Sequence, residues 1–145
     1  FHDVLGFNYR MTNIQAAIGL AQLERLEEIL EKKRQIYLQY YEILAEYVSF
    51  QPLVKDIRSS YWLVSFCLPG HVERDKLEEY LMNKGIETRP FFSPMDELPY
   101  FERGEYPVSR DISRRGISLP SYPQLNSADI KYISFAIIEF LNKTK

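Results

Sequence analysis

Apolar positions near the start of the chain recur at helical spacing. Ile14, Ala17, Ile18 and Ala21 stand at i, i+3, i+4 and i+7, and Thr12 or Asn13 supplies an N-cap. From Leu26 the stripe changes phase and continues through Ile29, Leu30, Ile36, Tyr37, Tyr40, Tyr41, Leu44 and Val48. The segment Met11–Tyr47 therefore reads as two consecutive helices with a break near Gln22–Arg25, since one helix of that length is unusual in a compact domain. Gly19 lies inside the first helix, where glycine costs about 1 kcal/mol relative to alanine, so close helix packing is its expected use.

Pro52 ends the helical run and Ser59-Ser60 mark a turn. The apolar stretch Tyr61–Leu68, stopped by Pro69-Gly70, predicts a central strand buried on both faces. Glu73–Lys84 then carries Leu77, Tyr80 and Leu81 on one face and ends at Gly85, which predicts a helix with a C′ glycine. Ile86–Arg89 alternates and stops at Pro90, as a short strand does. Six of the eight prolines (90, 94, 99, 107, 120 and 123) fall in the next stretch, interleaved with aromatic residues, so an irregular but structured excursion is expected there, broken by one short helix around Val108–Arg115. Asn126 or Ser127 caps a last helix with Ile130, Ile133, Ile137, Phe140 and Leu141 on one face. Few strands separated by helices predict an α+β fold: a small sheet covered on one side by helices, with the first helix outside that layer.

Charge and composition narrow the function classes. Eighteen Lys plus Arg against twenty Asp plus Glu give a net charge of −2, so the chain lacks the broad positive field that nucleic-acid binding needs. The uncharged run Met11–Leu23 is too short for a membrane span of roughly 20 residues. A lone cysteine, Cys67, excludes an internal disulfide, and with only two histidines the chain lacks the material of a Cys/His-rich metal site. A cytoplasmic location is the resulting expectation. The opening Phe1-His2-Asp3-Val4, without Met, leads to the expectation that the chain is a piece of a longer protein.

Most catalytic motifs are missing: there is no glycine-rich phosphate loop and no G-x-S-x-G. His71 follows a Pro-Gly turn and reads as a solvated loop residue, while Cys67 in an apolar strand reads as an inert thiol. Two groups remain. In Gly6-Phe7-Asn8-Tyr9-Arg10, Asn8 and Arg10 stand just before a capped helix, where a carboxamide, a guanidinium and a helix N-terminus suit a phosphate; they would equally serve to fix the turn. In Arg89-Pro90-Phe91-Phe92-Ser93-Pro94-Met95, an arginine enters a stiff aromatic loop, either as a clamp for an anionic ligand or as one half of a salt bridge.

The string from Gly6 to Glu24, GFNYRMTNIQAAIGLAQLE, closely resembles a signature of the DegT-type sugar aminotransferases, pyridoxal-phosphate enzymes of the aspartate aminotransferase fold. The resemblance continues through Lys33-Arg34, Tyr40, Gly85–Phe92 and Ile117-Ser118-Leu119-Pro120, and so covers essentially the whole chain. Thr-Arg-Pro-Phe-Phe-x-Pro-Met looks most like the perosamine synthase branch, which aminates a GDP-linked 4-keto-6-deoxy sugar. The resemblance implies that residues 1–24 close a large-domain and dimer-interface segment and that residues 25–145 form the small C-terminal domain, led by the long interdomain helix. It implies a homodimer with the active site shared between subunits. Asn8 and Arg10 would contact the cofactor phosphate or the substrate diphosphate, and Arg89, Phe91 and Phe92 would cover the sugar-nucleotide. Glutamate would be the amino donor, and surface-polysaccharide or deoxyaminosugar biosynthesis the setting. The family's cofactor lysine sits in Ser-x-x-Lys, and none of the eight lysines here has Ser three residues before it, so the chain alone is expected to be inactive. Many relatives have His where this chain has Asp96, and a role borrowed from that histidine does not transfer. A same-fold sugar dehydratase and a non-enzymatic dimerisation or regulatory module are the alternatives.

Overall fold

The computed structural model describes residues 7, 9–52 and 54–144. Helix α1 (Asn13–Glu24) opens with a capping box, in which the Gln15 N–H donates to the Thr12 hydroxyl and the Gln15 carboxamide accepts from the Thr12 N–H. Arg25, with φ −105° and ψ 9°, separates α1 from α2 (Leu26–Leu44), so the break falls where the phase of the apolar stripe changes. No residue of α1 is buried, in keeping with its place outside the helical layer. Gly19 departs from expectation: a Cβ added there would meet nothing within 4 Å, so no neighbour within the described chain explains it.

Four strands form one antiparallel sheet in the order β1-β2-β4-β3: β1 (Ser49–Phe50), β2 (Val64–Cys67), β3 (Arg89–Pro90) and β4 (Gly116–Leu119). Helix α3 (Arg74–Met82) follows β2, α4 (Pro107–Arg115) runs directly into β4, and α5 (Ser127–Lys143) ends the chain. Val64 and Phe66 of β2 and Ile117 and Leu119 of β4 share one core with Ile36, Tyr40 and Leu44 of α2 and Ile130, Ile137 and Leu141 of α5. Tyr40 is fully buried and donates its hydroxyl to the Pro120 carbonyl at 3.1 Å. The observed fold is thus α+β, with α2, α3 and α5 packed together over the sheet.

Three strand expectations are corrected. The predicted strand Tyr61–Leu68 pairs only over Val64–Cys67, and one of its faces, Ser65 and Cys67, is half-buried rather than core. In place of Ile86–Arg89, only Arg89 and Pro90 join the sheet, as an edge strand where a proline leaves no donor unpaired. β4, buried along its whole length, lies at the end of the segment expected to be irregular. Gly85 takes a φ of +74° beyond the end of α3, a left-handed turn that glycine adopts without strain. Asn126 caps α5 through the Ala128 and Asp129 N–H groups, as the sequence predicts.

Candidate functional site

The antiparallel register aligns Arg89, Ser118 and Ser65 as partners across three strands. Partners across a ladder share a face, and this row lies on the face opposite the Phe66–Ile117 core row. The Ser65 and Ser118 hydroxyls are 2.9 Å apart and bond each other. Two residues along each strand, Phe91 donates its N–H to the Gly116 carbonyl at 3.1 Å and lays its ring on Gly116. A Cβ at residue 116 would stand 2.6 Å from Phe91 Cε2 and closer still to Cγ and Cδ2, so this position requires glycine for the ring to sit on the sheet.

Above this face lies a groove of about 1170 Å³. Its floor includes Ser65, Ser118 and Arg89; one wall comes from Phe91, Phe92 and the first turns of α4 (Tyr106, Val108, Ile112), the other from Ile57, Tyr61 and Trp62. Phe92 is 82% exposed. Glu105 is the one carboxylate among the described lining residues. Arg89 also lines a second groove of about 720 Å³ at the β3 edge, shared with Lys33, Thr88 and Ser121. Arg89 is exposed and makes no hydrogen bond or ion pair among the described residues. Among the described residues no carboxylate pairs with this guanidinium, whose residue lines both grooves and whose fork of donors could take an anion.

Several ties that sequence reasoning missed hold the walls. Lys33 on α2 donates to the Trp62 carbonyl at 2.6 Å, the Ser121 carbonyl at 2.5 Å and the Ser121 hydroxyl at 3.2 Å, so its three donors fasten two loops to the helix. Burial holds its ammonium below the usual lysine range, since all three partners are neutral. Tyr61, between these loops, takes a φ of +47°, an unusual conformation for a bulky residue, braced by the Ser59 hydroxyl and the Tyr37 ring. Asp96, only 7% exposed, accepts from Arg110 at 2.5 Å and from the Gly104 N–H at 3.3 Å. Desolvation pushes its carboxyl up, but these hydrogen bonds outweigh it and the net shift is downward. Arg115 binds Asp111 and reaches the Leu68 carbonyl at 2.7 Å, tying α4 to the end of β2.

The other sequence candidates fall elsewhere. Asn8 lies outside the described residues. Arg10 is exposed just ahead of α1 and lines neither groove. His71 is exposed, as expected, and Cys67 is half-buried with its thiol pushed up by burial, in line with an inert role. No described helix is long and apolar enough to cross a membrane.

Residues 1–138 match the DegT/DnrJ/EryC1/StrS aminotransferase family. The chain belongs to that family. Its relatives include a GDP-perosamine synthase of Escherichia coli O157:H7, 42% identical over 97% of this chain and 39% of that protein. A GDP-perosamine synthase of Vibrio cholerae is 41% identical over 98% of the chain and 41% of that protein. Among solved structures, Helicobacter pylori PseC, an aminotransferase of pseudoaminic acid biosynthesis, superposes with a TM-score of 0.87 at 24% identity, over 97% of this chain and 40% of that one. That likeness shows the aminotransferase fold. The chain accordingly spans about two fifths of the length of the curated family members it matches.

Proposed function

We propose that the chain is the C-terminal portion of a pyridoxal-phosphate-dependent aminotransferase that moves an amino group from glutamate to a nucleotide-linked keto sugar. The observation that carries this reading is Arg89, uncommitted on the sheet face beneath an aromatic wall, in a chain more than 40% identical to two GDP-perosamine synthases. A guanidinium beside exposed rings suits a ligand that joins a diphosphate to a flat base. Arg89 binds the anionic part, Phe92 stacks on the ligand, and Phe91 shapes the wall beside it. A cytoplasmic, surface-polysaccharide role and a GDP-linked 4-keto-6-deoxy sugar complete the proposal.

Pyridoxal 5′-phosphate, when bound, supplies the electron sink that lets an amine and a carbonyl exchange. The donor chemistry at the start of the chain fits its phosphate: Arg10 presents an exposed guanidinium ahead of a helix N-terminus, and Asn8 two residues earlier adds a carboxamide. Asn8 and Arg10 would hold this end of the cofactor, in a homodimer whose active site is shared between subunits. No Ser-x-x-Lys occurs in the chain, so the covalent anchor comes from another part of the protein, and the chain alone is inactive. Residues 1–24 belong to the large-domain and interface segment, and residues 25–145 form the small domain.

The test uses the natural gene product. It is loaded with pyridoxal phosphate, reduced with borohydride and mapped by peptide mass spectrometry. The expected result is a lysine adduct outside this chain, together with glutamate-dependent amination of a GDP-linked 4-keto-6-deoxy sugar. A product that traps no cofactor overturns the reading.

A further inference from the structure

We infer that the ion pair between buried Asp96 and half-buried Arg110 is a positioning latch for substrate recognition, fixing the aromatic wall of the sheet-face groove; the inference rests on the reading of that groove as the sugar-nucleotide site. The segment between β3 and α4 begins with Phe91 and Phe92 and ends with Tyr106 at the foot of α4, and both ends line the groove. Asp96 near one end and Arg110 near the other are joined directly, and the same Arg110 nitrogen also donates to the Gly104 carbonyl at 2.7 Å. The Gly104 N–H returns to the same Asp96 oxygen. The Asp96 carboxylate and the Gly104 backbone, eight residues apart in the loop, are thereby both tied to one guanidinium of α4. A second tie, from the Ser113 hydroxyl to the Phe92 carbonyl at 2.8 Å, transmits the position of α4 to Phe92. Among the described residues Glu97 also faces the pair, its carboxylate 3.8 Å from Arg110 Nε. The core is complete without this loop, whose own aromatic residues Tyr100 and Phe101 are exposed. The pair therefore orders the loop rather than the core, and what the loop presents is the groove wall.

Steady-state kinetics of the whole gene product, with the nucleotide-linked keto sugar and glutamate varied in turn, test this. Asp96→Asn keeps the shape and removes the charge; Arg110→Lys keeps the charge and removes the fork. Both are expected to raise KM for the sugar on the order of tenfold, with KM for glutamate unchanged and kcat within about twofold. Asp96→Glu restores the charge and lowers the sugar KM back toward wild type. Equal rises in both KM values, or an unchanged sugar KM in both variants while Arg89→Ala raises it, overturn the latch. If Arg89→Ala also leaves the sugar KM unchanged, the groove reading itself fails and the latch falls with it. Should Asp96→Asn not fold, Arg110→Lys decides alone.

Discussion

Gly116→Ala probes the seat of the Phe91 ring with a single methyl group. Two effects oppose each other. Alanine restricts the unfolded chain, a gain of about 0.4–1 kcal/mol where the native backbone tolerates it, and the φ of −79° and ψ of 136° at Gly116 do tolerate it. Against this, the new Cβ would stand 2.6 Å from Phe91 Cε2 and nearer to two other ring atoms. Carbon atoms prefer roughly 3.5–4.0 Å, so the ring must move by about 1 Å or more. It cannot shift with its backbone, because the Phe91 N–H is bonded to the Gly116 carbonyl and the Phe92 carbonyl to Ser113. The ring must leave its rotamer or the sheet face, and overpacking of this kind costs about 1–3 kcal/mol. Overpacking wins, and a net loss of about 1–2 kcal/mol is expected. Urea unfolding followed by far-UV circular dichroism measures it as a lowered midpoint at constant slope. Removing the ring should cancel the clash, so Gly116→Ala in a Phe91→Ala background should lose nothing, a coupling of about 1 kcal/mol or more. A Gly116→Ala midpoint at or above wild type, or no coupling to Phe91, refutes the argument.

Tyr40→Phe removes the donor to the Pro120 carbonyl while keeping the buried ring, and a loss of about 1–3 kcal/mol in the same urea assay is expected. Burial raises the Tyr40 phenol above its usual range, so the loss should not vary with pH between 6 and about 9. Glu139 is held at about 2, chiefly by the Lys143 ammonium and also by that of Lys84, both hydrogen-bonded to its carboxylate. Because its folded value lies below the unfolded one, its contribution is present above the model-peptide value of 4.5 and is lost as pH falls toward 2. Stability curves of wild type and Glu139→Gln should therefore separate above that window and converge below it, with the gap narrowed by salt as exposed pairs require.

Helices were the most legible part of the fold, because a 3.6-residue apolar stripe marks them and side-chain caps mark the starts of α1 and α5; the Thr12 capping box, the break at Arg25 and the Asn126 cap all follow from residues within one turn. The sheet was harder to read. β1 and β3 are two residues each, too short to carry alternation, and β4 is buried throughout and follows α4 without a turn signal. The apolar run at Tyr61–Leu68 overstated its strand because Tyr61 and Trp62 line the groove, with Tyr61 in a left-handed conformation. Arg89 was legible as a candidate, but that no carboxylate among the described residues pairs with it is a three-dimensional fact. Asp96 stood out in the sequence only as a departure from its relatives, because its partner Arg110 lies in the following helix. Lys33 joins groups 29 and 88 residues away, a distance at which no local pattern informs.

The two outer strands of the sheet have a consequence for how the molecule meets other chains. β1 and β3 offer only two residues each, and β3 includes Pro90, which has no N–H to donate. An extended peptide adds to a sheet by continuing its ladder, which needs a run of unpaired donors and acceptors. Neither border supplies one. Strand exchange and fibril-like stacking of this domain are disfavoured by the same shortness. Recognition is thereby turned away from the margins of the sheet and onto its flat side, where side chains rather than backbone decide what is held.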